Sequence, residues 1–241
     1  SKSKVQGTGQ QNAPSNIMCV KRRFYRILES VIKKIIIFCK KKSQNVDLQR
    51  SIQSAIYNTS DKEKILFLNK NGQKFLVHTK DWISRKLFIE SDFDYFLMKK
   101  ALKLLNKKHK RETVVNIGAN IGSICIRSIK ENHFKYGIFF EPSKINYRLL
   151  IANIHINKLE DKVKAYQLAL SDRKKILKLI IDTKGNLGRN RISKKKNNQE
   201  NLKIEKVKSD ILDNFTSNLN KNNTLIFMDV QGHEANVFKG A

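Results

Sequence analysis

The 241 residues hold Lys+Arg 49 against Asp+Glu 21, a formal net charge of +28, with 40% hydrophobic residues. That length and apolar share suit one α/β domain with a buried core plus an appendage, and they exclude a fibrous or wholly disordered chain. Such a charge ordinarily points to nucleic acid or an anionic membrane. Lys far outnumbers Arg, however, and is scattered with Asn and Ile along the whole chain, as AT-rich coding DNA alone would produce; bidentate phosphate and guanine contacts favour Arg, so nucleic acid is disfavoured as a partner.

In chain order, Ser1–Ser15 is polar with almost nothing to bury and is expected to be disordered. "RRFYRILESVIKKIIIFCKKK" follows, with Phe24, Ile27, Leu28, Val31, Ile32, Ile35 and Phe38 at helical spacing and Arg22, Arg23, Arg26, Lys33 and Lys34 between them. This basic amphipathic helix is a candidate for peripheral contact with an anionic membrane through residues 22–42. A surface helix packing its apolar stripe on the main domain looks the same and is the simpler reading. After a polar linker, "KILFLNKNGQKFLVHT" predicts a hairpin turning at Asn71-Gly72. "SDFDYFLMKKALKLLNKK" predicts an amphipathic helix opened by a Ser or Asp cap.

From Glu112, strands and helices alternate, which predicts a mostly parallel sheet covered by helices. "TVVNI", "YGIFFEP", "VKAYQLAL" and "NTLIFMDV" read as strands; "SICIRSIKEN" and "INYRLLIANIHIN" read as helices. Ser171 to about Asp213 breaks the rhythm and reads as an inserted hairpin with a polar loop. The expected organisation is therefore a basic tail and helix over 1–50, a hairpin and helix over 51–110, and an α/β ligand-binding domain over 111–241. Cys19, Cys39 and Cys125 are too few and too far apart for a disulfide framework, which suggests a reducing compartment. No window reaches the roughly 18 apolar residues of a membrane span, and the expected location is cytoplasmic or membrane-peripheral. His78, His109, His133 and His155 lie in helical or charged contexts, and no His or Cys spacing suggests a metal.

The stretch "VVNIGANIGS" ends an apolar strand in a glycine turn, but Ala119 and Asn120 stand where a dinucleotide site needs a second glycine against a pyrophosphate. No P-loop pattern is present either. What remains is a ribose site without a phosphate site. Glu141 in "FFEPS", at the end of the next strand, is placed to accept hydrogen bonds from both ribose hydroxyls. S-adenosylmethionine meets this description.

With "VVNIGANIGS", "FFEPSKINYRLLIANIHIN", "LALSD" and "LIFMDVQGHEANVFKGA" in this order, the sequence resembles the FkbM-type family of S-adenosylmethionine-dependent methyltransferases. The resemblance runs from about Lys80 to Ala241 and implies the class I methyltransferase fold. It also implies that Gly118, Asn120 and Gly122 surround the methionine and ribose of the cofactor, that Glu141 binds the ribose, and that Leu170, Ser171 and Asp172 border the adenine. Asn116 replaces the acid usual in the opening motif and removes a negative charge facing the cofactor's amino group. The family pattern continues beyond Gly240-Ala241, so the sequence reads as C-terminally truncated.

Methyl transfer to a hydroxyl needs alignment and a base near the end of the fourth strand. Asp229 and His233 in "MDVQGHE" are the candidates; Glu234 joins them through the family pattern, its alternative being a cap on the following helix. The resemblance favours O-methylation of a sugar or other small molecule, with the inserted hairpin lining the acceptor side. The rivals are an RNA-modifying protein, which requires positive charge clustered at the crevice, and an inactive membrane-associated scaffold.

Overall fold

The computed structural model describes residues 29–30, 46–58, 64–70, 72–79, 81–90, 94–105, 111–182, 187–193 and 203–241. Two compact units are present, residues 1–52 and 53–241. The predicted amphipathic helix lies outside the described residues, apart from the helical pair Glu29 and Ser30. Helix α1 is Val46–Asn58.

In the second unit, β1 (Ile65–Lys70) and β2 (Gln73–His78) pair antiparallel with Lys70 opposite Gln73. That pairing leaves two residues for the turn, as the sequence predicts, and Gly72 has φ 73°, where a side chain is disfavoured. Helices α2 (Trp82–Glu90) and α3 (Tyr95–Leu104) follow. Asp94 occupies the N-cap position of α3 in a left-handed conformation, φ 51°, and makes no side-chain cap hydrogen bond; the cap predicted there is realised in position but not in bonding.

A parallel sheet comprises β3 (Thr113–Ile117), β4 (Tyr136–Phe140), β5 (Val163–Tyr166) and β10 (Thr224–Met228) in the order β10-β3-β4-β5. All five residues of β3 are buried, as expected of a near-continuous apolar strand covered on both faces. Strand alternation sends Val114 and Phe139 into one core, with Ile126 and Leu150, and Val115, Ile117 and Phe140 into the other, with Leu170, Leu212 and Val237. Helices α4 (Cys125–Lys130) and α5 (Lys144–Ile156) cross between successive strands, and α6 (Asp213–Thr216) and α7 (Glu234–Phe238) flank β10. This is the predicted α/β class I methyltransferase architecture. Its chain order reverses at β3, between β4 and β10, so the ligand crevice belongs at the carboxyl ends of these strands.

Three expectations change. The stretch "VKAYQLAL" is two strands rather than one: β5 ends at Tyr166, and β6 (Ala169–Leu170) joins a second sheet with β7 (Lys175–Ile181), β8 (Arg191–Ile192) and β9 (Lys203–Asp210) in the order β6-β9-β7-β8, where it runs parallel to β9. A run whose two halves are equally apolar, each with one polar residue, does not reveal a turn at Gln167-Leu168 that transfers the chain between sheets. The predicted hairpin is present as β7 (Lys175–Ile181) and β9 (Lys203–Asp210), antiparallel over seven pairs, but β6 and β8 (Arg191–Ile192) extend it into a four-stranded sheet with its own small core of Ala169, Leu179, Ile181 and Val207. Helix α4 begins at Cys125, two residues later than predicted, because Ser123 and Ile124 remain in the preceding turn.

The β1–β2 hairpin is fastened to α5 by side chains that take the part of a neighbouring strand. Asn153 accepts from the Leu76 N–H (2.6 Å) and donates to the Leu76 carbonyl (3.2 Å) and the Ile121 carbonyl (2.9 Å). Asn157 repeats the pairing one turn on, accepting from Lys74 N–H (3.2 Å) and donating to its carbonyl (2.6 Å). Both backbone groups of an otherwise open strand edge are thereby satisfied.

Candidate active site

The glycine turn after β3 closes by backbone hydrogen bonding onto the end of β4: Gly118 and Ala119 N–H both donate to the Phe140 carbonyl, at 3.0 and 2.9 Å. Gly118 has φ 81°, and a Cβ there would sit 2.0 Å from the Asp229 carbonyl oxygen. The first glycine is thus required by the loop after β10 passing against it as well as by the turn itself. Asn120 takes a left-handed conformation, φ 52°, which Asn tolerates better than most residues. Its N–H donates to Glu141 Oε2 at 2.7 Å. The second carboxylate oxygen, Glu141 Oε1, accepts from Ser143 N–H at 2.9 Å.

Glu141 is 5% exposed. Burial pushes its carboxyl up to about 7, against the opposing pull of hydrogen bonds from Ser143, Asn120 and Asn146. Each of its oxygens keeps acceptor capacity beyond the one backbone bond. Around it lies a cavity of about 300 Å³, lined by Asn116, Gly118, Asn120, Glu141, Asn146, Leu168, Leu170, Asp229 and His233 among others. That volume is at the lower end of the range for small-molecule sites, roughly 300–1,000 Å³. The buried Oδ1 atoms of Asn120 and Asn146 have no hydrogen-bond partner. Unpaired buried acceptors beside a buried carboxylate are complementary to a ligand rich in donors, such as ribose hydroxyls and an ammonium group.

A further wall of the cavity comes from segments with no motif: Ile83 on α2, Asp94 and Leu97 at the start of α3, and Leu179, Leu187, Gly188, Asn190, Arg191 and Ile192 from the second sheet and the 3₁₀ turn before β8. Asp81 joins two of these segments. Its Oδ2 accepts from Ser84 N–H (2.8 Å), capping α2, and its Oδ1 accepts from Leu187 N–H (2.9 Å). Tyr57 donates to the carbonyls of His78 and Asp81 from behind, at 2.8 and 2.7 Å.

The loop after β10 presents Asp229, which is exposed and accepts from Gln231 Nε2 at 2.6 Å. Gln231 and Gly232 both have positive φ, 52° and 89°. Glu234 Oε1 braces this loop by accepting from the N–H groups of Val230 (3.3 Å) and Gly232 (3.2 Å). His233 is 7% exposed, with Nε2 3.1 Å from Ser171 Oγ and Nδ1 3.3 Å from Asn236 Nδ2. Ser171 donates to Asp172 Oδ1 at 2.9 Å. Because that carboxylate only accepts, Ser171 Oγ must receive the His233 Nε2 proton, leaving Nδ1 to accept from Asn236. Both ring nitrogens are therefore engaged within the protein.

Of the residues singled out from sequence, Asn116, Gly118, Asn120, Glu141, Leu170, Asp229 and His233 line the cavity. Gly122, Ser171, Asp172 and Glu234 do not. Gly122 has φ 84°, and a Cβ there would meet Ile126 and Leu150 in the core. Asp172 is held well below the usual carboxylate range by the hydrogen bonds of Lys175 and Ser171. Asn146 escaped sequence reasoning. Its signal was Asn146, Asn153 and the C-cap Asn157 falling on one face of this helix, hidden because Asn is abundant throughout this chain. Among the described residues no group of three or more His, Cys, Asp and Glu side chains is arranged to hold a metal.

The methyltransferase FkbM domain model matches residues 116–241, more than half of the sequence and the whole of the crevice's strand-end residues. The chain belongs to the FkbM methyltransferase family. The cofactor of this family is S-adenosylmethionine, and the buried acceptors around Glu141 suit it. A search of curated proteins finds no match to the chain. Among solved structures, the FkbM methyltransferase of Methylobacillus flagellatus KT is 16% identical, with 56% of this FkbM chain and 30% of that chain covered and a TM-score of 0.37. P. horikoshii TYW2 in complex with MeSAdo is 22% identical, with 45% and 37% covered and a TM-score of 0.32. The complex of aTrm5 with tRNALeu is 22% identical, with 43% and 28% covered and a TM-score of 0.32. The chain thus spans well under half the length of these solved relatives.

Proposed function

We propose that this chain binds S-adenosylmethionine with Glu141 on the ribose hydroxyls and directs methyl transfer to a hydroxyl of a sugar or other small molecule. The observation that carries the reading is the Glu141 carboxylate, buried at the end of β4 and fixed by the N–H groups of Asn120 and Ser143, with unpaired acceptors of Asn120 and Asn146 beside it. When bound, the cofactor supplies a methyl group already activated on a sulfonium. Asn116, Gly118 and Asn120 would surround its methionine end and Leu170 would border its adenine, with Ser171 and Asp172 behind.

Asp229 stands at the end of β10 and is oriented by Gln231. In the reaction it would take the proton of the acceptor hydroxyl as the oxygen–methyl bond forms and the sulfur–methyl bond breaks. His233 and Glu234 are assigned positioning roles: one pins α7 to the end of β6 through Ser171, the other braces the loop that presents Asp229. A hydroxyl on a small molecule is preferred to RNA because, among the described residues lining the cavity, Arg191 is the single cation; an RNA acceptor calls for basic charge concentrated at the crevice. The apolar wall of Ile83, Leu97, Leu187 and Ile192 suits the acceptor's non-reacting part.

Calorimetric titration of S-adenosylmethionine into the chain and its Glu141→Ala variant tests this. Micromolar binding that weakens about a hundredfold or more in the variant is the expected result, since two ribose hydrogen bonds to a charge are lost. Equal binding by both would remove Glu141 from the site, and binding by neither would sink the methyltransferase reading in favour of an inactive scaffold.

A further inference from the structure

Among the described residues, helix α3 packs inward through one side. Tyr95, Met98 and Leu102 are buried, the Tyr95 hydroxyl donates to Glu131 Oε2 at 2.7 Å, and the Arg127 guanidinium lies 3.9 Å from the Tyr95 ring centroid. On the other side, where polar residues are the norm, Phe96 is 50% exposed, Leu97 42% and Leu104 87%. The exposed Lys99, Lys100 and Lys103 share this arc, and the helix contains no acid. Lys100 Nζ stands 5.3 Å over the Phe96 ring, its stem covering apolar surface while its charge reaches outward. The arc meets the cavity: Leu97 both lines it and is substantially exposed, so it lies at the rim. On α2, Trp82 is 45% exposed next to the cavity-lining Ile83, with Lys86 Nζ 5.6 Å over its ring.

We propose that the exposed arc of α3, with Trp82, docks on an anionic lipid bilayer and seats the cavity rim against it. Apolar side chains interleaved with lysines, with no acid within α3 itself although Lys86 of α2 pairs with Glu90 and Asp94 stands at the start of α3, match a surface that is apolar beneath negative headgroups, and Trp belongs at such a boundary. A second copy of the chain is a poor occupant, because a two-fold contact through this arc sets three lysines against the same three. RNA is a poorer one: bases could stack on Phe96 and Trp82, but Leu97 and Leu104 would be left uncovered and the arc has no Arg. This surface is separate from residues 22–42. If the methyl-transfer reading also holds, its acceptor is one presented at the membrane surface.

Trp82 is the only tryptophan in the chain and, next to the cavity-lining Ile83, reports on the rim that Leu97 shares. Its emission is followed in the full chain with vesicles of phosphatidylcholine alone or mixed with phosphatidylserine, with and without brominated phosphatidylcholine. The expected result is a blue shift and bromine quenching with the mixed vesicles only. Phe96→Ser with Leu104→Ser should weaken vesicle binding about tenfold or more and abolish quenching. Lys99→Gln, Lys100→Gln and Lys103→Gln together, all at exposed positions, should remove the dependence on phosphatidylserine. Binding that leaves Trp82 unquenched would place attachment elsewhere and overturn the proposal. So would no binding at all, or single-stranded RNA perturbing Trp82 more tightly than the mixed vesicles do. Vesicle binding needs no cofactor, so a failed cofactor titration with intact quenching would remove the methyltransferase reading and leave the docking surface standing.

Discussion

The wall of the cavity between β3 and β4 is shaped by hydrogen bonds from backbone N–H groups, Gly118 and Ala119 to the Phe140 carbonyl and Asn120 to the Glu141 carboxylate, within a span of 24 residues from Gly118 to Glu141. The second wall gathers Ile83, Leu97 and the stretch from Leu187 to Ile192, segments about a hundred residues apart, two of them joined through the side chain of Asp81. The first kind of wall needs particular residues at fixed spacing, so it writes a motif. The second needs only side chains of suitable size and one buried carboxylate, so it does not. The difference predicts that substitutions in the first wall act on folding and cofactor together, whereas those in the second separate cofactor from acceptor.

Gly118→Ala should have the largest effect. Its Cβ would meet the Asp229 carbonyl at 2.0 Å from a backbone already at positive φ. A loss of about 3 kcal/mol or more is expected, visible as a lowered unfolding midpoint in denaturant together with lost cofactor binding. A stable variant with intact binding would mean that the two loops are not pressed together.

Asn153→Leu comes next. It keeps the volume but leaves Leu76 N–H and two carbonyls without their partners. About 2–3 kcal/mol should be lost, with hydrogen exchange at Leu76 rising well above that of the β3 amides. Uniform exchange across both regions would show that the hairpin is not fastened through this side chain.

Asp81→Ala cuts the link in the second wall and should cost about 1–2 kcal/mol as a lost helix cap and loop tie. Cofactor affinity should stay within about twofold while acceptor turnover falls, a split measured by calorimetry beside single-turnover assays. Parallel loss of both would erase the distinction between the walls.

The last test is a dependence on pH, whose effect within one unit of neutrality is the smallest of the four. Glu141 titrates near 7 in the folded chain against 4.5 for an ordinary glutamate, so the native state holds more protons than the unfolded one between those values. By linkage, this group's contribution to stability is fully present below 4.5 and declines as pH rises through 7. Ribose hydroxyls donate best to the ionised form, so cofactor affinity should change in the opposite sense. It should be flat above pH 7 and fall by at most about tenfold per unit below it. Affinity that is level from pH 5.5 to 8 would show that the carboxylate is ionised throughout.

The parallel sheet and its crevice were legible because "TVVNI" and "YGIFF" are apolar enough to be buried on both faces and end in residues only a turn or a ligand site explains, Gly118 and Glu141. The break at Gln167-Leu168 was not legible, since both halves of "VKAYQLAL" are equally apolar and only sheet-to-sheet packing separates them. Burial of His233 was hidden for the same reason: its partner Ser171 lies 62 residues away. Sequence by itself determined the order of elements and the strand-end chemistry, because these depend on local spacing and on side chains that are costly to bury. Tertiary structure alone decided the apolar wall, the imidazole's proton and the outward arc of α3, because each depends on which distant surface comes to lie against it.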